Sequence, residues 1–146
     1  MGKVQDCITE FKMRYPSTVA WRTRKHAIVI ESYLNEDEEV LYAFCAQKND
    51  KWYQLFNSCV VVLTNKRILI GQKRVMWGSF YTIVTPELYN DMKIMSGLFW
   101  EKIIIDTVKE KIILSNIANK ALDDIETNIS NFIMDFKNKD KKDDED

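Results

Sequence analysis

The segment that most constrains this chain reads Val60-Val61-Val62-Leu63-Thr64-Asn65-Lys66-Arg67-Ile68-Leu69-Ile70. Two β-branched and aliphatic runs flank a polar Thr-Asn-Lys-Arg turn, the pattern of a hairpin whose two strands are buried. The turn has an ordinary chemistry. Asn tolerates left-handed backbone, Thr hydrogen-bonds locally, and the two cations keep the loop in water. A phosphate site built on Lys66 and Arg67 would need further donors beside them.

The hairpin belongs to a regular series. Residues 39–47 alternate Val40, Tyr42, Phe44 and Ala46 against Leu41, Ala43 and Cys45. Residues 56–63 and 67–72 form the hairpin, and 79–84 follow the turn-like Met76-Trp77-Gly78. Pro86 interrupts, and 87–90 suit one helical turn. Residues 91–98, 100–108 and 111–115 complete the set, with Lys109-Glu110 as a tight connection. Seven short strands with turns of two to six residues predict an antiparallel sandwich or barrel.

Helices flank this series. Val4, Ile8, Phe11 and Met13 approximate one face of a short helix that Pro16 stops. Ser17 suits the cap of a second helix reaching about Leu34, with Ala20, Trp21, Ala27, Ile28 and Ile30 as its apolar set. Its polar face carries Arg22 and Lys25, with His26 a further candidate for it. That face fits contact with phosphate and fits plain solvation equally well. After the strands, Ala118, Ala121, Leu122, Ile125, Ile129, Phe132, Ile133 and Phe136 recur at spacings of three and four. Such a stripe requires cover, and the open end or edge of a small barrel supplies it. Asn116 or Asn119 suits the cap of this helix, and Asp123, Asp124 and Glu126 sit at its positive end.

Composition narrows the function classes. The chain has 146 residues, 46% hydrophobic and 29% charged, a globular balance long enough for a real core. A net charge of −1 offers no global basic field for nucleic acid. Residues 121–146 hold nine acids against four bases and close on Asp143-Asp144-Glu145-Asp146, which predicts a solvated, disordered tail over 138–146. Cys7, Cys45 and Cys59 include no C-x-x-C pair and read as free thiols in a reducing compartment. No apolar run approaches the roughly 18 residues of a membrane span, and the first residues do not open a signal peptide. The expectation is a cytoplasmic protein.

Catalysis finds no support in the residues. His26 is the one histidine and has no Cys or Asp partner at a supporting spacing. There is no Gly-rich phosphate loop, no H-E-x-x-H helix and no Cys/His cluster for zinc. Asp91, Glu101 and Asp106 are scattered among strands without forming an evident acid–base pair. The sequence implies no cofactor, no metal, no nucleic-acid partner and no small-molecule substrate.

Seven antiparallel strands followed by one amphipathic helix is the layout of the pleckstrin-homology (PH) superfold. The chain resembles bacterial PH-like domains of the YokE type. The resemblance lies in Glu38-Glu39-Val40-Leu41-Tyr42, in Val62 through Ile70, in Gly97-Leu98-Phe99-Trp100-Glu101-Lys102-Ile103-Ile104-Ile105-Asp106-Thr107 and in Ile112-Ile113-Leu114-Ser115-Asn116-Ile117. It implies a mainly β fold with α, a seven-stranded partly open barrel over 35–137, capped by its last helix. An N-terminal helical segment, 1–34, precedes it. The resemblance implies a binding or scaffold module and leaves the ligand open, because this fold serves lipid, peptide and protein binding alike.

In PH-like folds three strand connections surround the open end. Mapped here they contribute Lys48, Lys51 and Trp52, then Lys73, Arg74 and Trp77, then Lys109 and Lys111. These cations and indoles suit an anionic headgroup at a membrane surface, although Asp50 and Glu110 share the loops. Solvated loops and a protein-docking rim are the other readings. A protein partner or self-association, through exposed strand edges or the N-terminal helices, is the principal expectation.

Overall fold

A computed structural model of the protein describes residues 2–16, 18, 23–47, 58–73, 78–96 and 100–145. Two helices come first, α1 (Lys3–Arg14) and α2 (Thr23–Tyr33). Seven strands follow, β1 (Val40–Gln47), β2 (Ser58–Thr64), β3 (Ile68–Lys73), β4 (Ser79–Val84), β5 (Tyr89–Ser96), β6 (Trp100–Thr107) and β7 (Lys111–Ala118). A 3-10 turn over Pro86–Leu88 stands where Pro86 predicts a break, and α3 (Leu122–Glu145) closes the chain.

The strands form one open antiparallel sheet in the order β4-β3-β2-β1-β7-β6-β5. The opening hairpin has the register Leu63↔Ile68 and Val61↔Ile70, and β1 adds Phe44 opposite Val61. Every residue of β2 is buried, because α2 packs on β2 and β3 and the interior of the sheet lies beneath. The β1–β7 junction is narrower. Among the described residues it consists of the pair Gln47↔Ser115, with the Ser115 hydroxyl donating to the Gln47 carbonyl at 3.4 Å.

Both N-terminal helices pack on this sheet. Val4, Ile8 and Phe11, spaced four and three apart, are the buried stripe of α1, which lies against β1. The Phe11 ring meets Phe44 at 6.1 Å and Tyr42 edge-on at 6.5 Å. Along α2 the buried set is Thr23, His26, Ala27, Val29 and Ile30. Gly71 in β3 lets α2 approach closely, since a Cβ there would stand 2.5 Å from Cδ1 of Ile30. Glu31 joins the two helices by accepting the Val4 N–H at 2.7 Å, which serves one of the donors left open at the start of α1.

Three expectations are corrected here. His26 is buried rather than on the exposed face of α2, because it falls on the stripe that meets β3 (Arg22 and Ser17 lie outside the described residues). The closing helix is led in by a 3-10 turn, Asn119–Ala121, which has no side-chain cap bond. Instead, the Ala118 N–H donates to Thr18 Oγ1 at 3.1 Å. Finally, α3 continues to Glu145 through the segment read as a disordered tail. There Lys139, Lys141 and Lys142 stand three or four residues before Asp143, Asp144 and Glu145, spacings at which opposite charges support a helix.

Candidate functional site

The Thr-Asn-Lys-Arg turn is a clasp. Arg67 reaches back to Glu38, donating from Nε to Oε2 at 2.8 Å and from Nη2 to Oε1 at 2.9 Å. The same Nη2 donates to the Tyr33 carbonyl at the end of α2, also at 2.9 Å. Thr64 Oγ1 donates to Glu38 Oε2 at 2.7 Å and accepts the N–H groups of Lys66 and Arg67. Asn65 exchanges two bonds with Glu39, and Lys66 pairs with Asp37. The Glu38 side chain has no exposed surface. Burial would raise its pKa, but the Arg67 guanidinium, the Thr64 hydroxyl and the Asn35 N–H outweigh that and hold it at about 2. Lys66 and Arg67 are thus committed to carboxylates of the α2–β1 connection; Thr64 bonds locally as expected, but Arg67 folds inward onto the buried Glu38 rather than keeping the loop in water.

Of the rim residues, Lys48, Lys51, Trp52, Arg74 and Trp77 lie outside the described residues. Lys73 ends β3 with its side chain exposed, while its backbone N–H donates to His26 Nδ1 at 2.8 Å. Lys109 and Lys111 are exposed on either side of Glu110, at the β6–β7 turn.

Two shallow clefts flank Leu41, which is 54% exposed at an irregularity between Val40 and Tyr42. One, of about 170 Å³, lies among α1, β1 and α3, and a second of about 90 Å³ reaches Phe132 and Phe136. In the larger, the Tyr42 hydroxyl donates to Asp124 Oδ2 at 2.8 Å, and Glu10 pairs with Arg14 at 3.6 Å. Burial, then the Asp124 carboxylate, pushes the Tyr42 phenol well above its ordinary range. The Tyr42–Asp124 bond crosses the cleft and pins α3 to β1, while the Glu10–Arg14 pair lies along α1 at its rim.

The remaining feature is the sheet's ends. Among the described residues, strands β4 and β5 each have one strand neighbour. Helix α2 packs beside β4. On β5, Asp91, Lys93 and Met95 are exposed, whereas Met92 and Ile94 lean on the core. Sequence reasoning named exposed strand edges without saying which, because the strand order, which a single strand's residues do not encode, decides which strand is last. The alternation of Asp91 and Lys93 with Met92 and Ile94 was the available signal.

An open, seven-stranded antiparallel sheet with a C-terminal helix against it defines a PH-like fold, a class of domain that generally acts by binding rather than by catalysis. The family model of the bacterial PH domain matches residues 34–131, and the chain belongs to that family. The structure is similar to the crystal structure of a pleckstrin homology domain from Shewanella amazonensis SB2B. The TM-score is 0.54 at 14% identity, and the alignment covers 75% of this chain and 96% of that one. No curated protein matches the sequence.

Proposed function

We propose that this protein is a non-catalytic binding and scaffold module that works through protein–protein contact, self-association included. The observation that supports this is the outer edge of β5, which pairs with no further strand among the described residues and carries the exposed Asp91, Lys93 and Met95. An end strand presents a row of backbone donors and acceptors that another chain can complete. A reducing, cytoplasmic setting suits the three cysteines, which form no disulfide and of which Cys45 and Cys59 are buried. Burial pushes the Cys45 thiol up to about 12, which keeps it protonated and unreactive.

A second reading takes the rim as a site for anionic lipid, favoured by the exposed Lys109 and Lys111 at one turn. Sedimentation with phosphatidylserine-containing vesicles at low and high salt, alongside light scattering across concentration, separates the two. The expected result is mass that grows with protein concentration and no salt-sensitive sedimentation. A monomer at every concentration that vesicles carry down at low salt overturns the first reading in favour of the second.

A further inference from the structure

We infer that two copies of this chain pair through β5, antiparallel, in the register that sets Met92 opposite the partner's Met92. This rests on the protein-binding reading above and names the partner as a second copy.

The backbone supplies the first argument. Thr107 N–H donates across the β6–β7 turn to the Glu110 carbonyl, so Asp106 and Ile104 turn their backbone groups to β5, where their partners are Asp91 and Lys93. Met92, out of step with these, has its N–H on Oδ1 of Asp91 at 2.8 Å. In an antiparallel ladder a residue's N–H and C=O point the same way, and successive residues alternate sides. Met92 and Ile94 therefore turn their backbone groups to the open edge, while Asp91 and Lys93 turn theirs to β6. A two-fold pairing centred on Met92 lets its N–H and C=O exchange both bonds with the partner's Met92.

Charge supplies the second. A two-fold axis that keeps both outer faces on one side must pass through a residue pair. Centred on Asp91 it opposes two carboxylates, and centred on Lys93 it opposes two ammonium groups. Centred on Met92 it sets Asp91 against the partner's Lys93 and Lys93 against the partner's Asp91. Both pairs fall at non-hydrogen-bonded positions, where cross-strand side chains approach most closely. On forming, the Asp91 carboxylate passes from the Met92 amide to the partner's lysine.

Light scattering and analytical ultracentrifugation test this with Asp91→Lys and Lys93→Asp, two exposed positions whose folding circular dichroism verifies. Each variant alone places like charges opposite one another twice and is expected to dissociate about tenfold more readily or worse. An equimolar mixture of the two variants restores complementarity and is expected to associate at least as well as the original chain. The double variant Asp91→Lys/Lys93→Asp is expected to regain self-association. If the chain associates and both single variants associate unchanged, the β5 register is wrong while self-association stands. If the original chain is a monomer at all concentrations, the pairing itself is overturned, and only association with a different protein survives.

Discussion

Glu38 is a carboxylate without exposed surface, held by a guanidinium, a hydroxyl and a backbone amide. Its pKa of about 2 lies below the ordinary 4.5, so the stability it contributes is fully present above about pH 4.5. That contribution drains away as the pH falls toward 2. Glu38→Gln should cost on the order of 3 kcal/mol at neutral pH, and the gap should close near pH 2. Urea midpoints measured across that range check it. His26 offers a second case. Its Nδ1 accepts the Lys73 N–H, and His26→Leu leaves that donor without this acceptor, for an expected loss of about 1–3 kcal/mol by denaturant titration. Thr23, His26, Ala27 and Ile30 recur at spacings of three, one and three, so the burial of His26 was legible. Counting histidine among the polar face hid it. Glu38 was less so, since nothing local distinguishes it among the acids at 36–39.

At the scale of elements, the strands were legible because their apolar runs are bounded by turn residues. The β6–β7 connection held, with Thr107 Oγ1 donating to the Glu110 carbonyl at 2.7 Å. Boundaries slipped where two signals competed. Asn116 reads as a helix cap after a strand ending at Ser115, yet β7 continues to Ala118 by pairing with β6. How α1 and α2 pack was not legible, since an amphipathic stripe does not name what covers it. Gly71 carries that information, though only once α2 is known to lie above it. Gly71→Ala should therefore destabilise the protein by about 1–3 kcal/mol, as Ile30 has no exposed surface into which to retreat. Ile30→Val, which removes the crowding Cδ1, should recover part of that loss in a double-mutant cycle read by urea unfolding. Tyr42→Phe should loosen α3 at about 1 kcal/mol, seen as a lowered thermal midpoint.

For the whole molecule, periodicity and the hairpin signature sufficed for the family, and the family is what the fold displays. Which surfaces are left open was not readable, because edges, rims and clefts arise from how distant strands are ordered. The same long-range view bears on how the molecule opens. Among the described residues its two half-sheets, β1–β4 under the N-terminal helices and β5–β7, share one core but are joined in strand pairing by the single pair Gln47↔Ser115. Cooperative units of a native protein tend to follow such seams. Amide hydrogen exchange is expected to sort into two classes, with β2 and β3 amides slowest and those of β5 and β6 exchanging through a lower-energy opening. Uniform protection across both halves would show one unit instead. On this view the narrow seam lets the β5 half breathe, and so remain available to a partner, while the clasped hairpin keeps the rest of the fold intact.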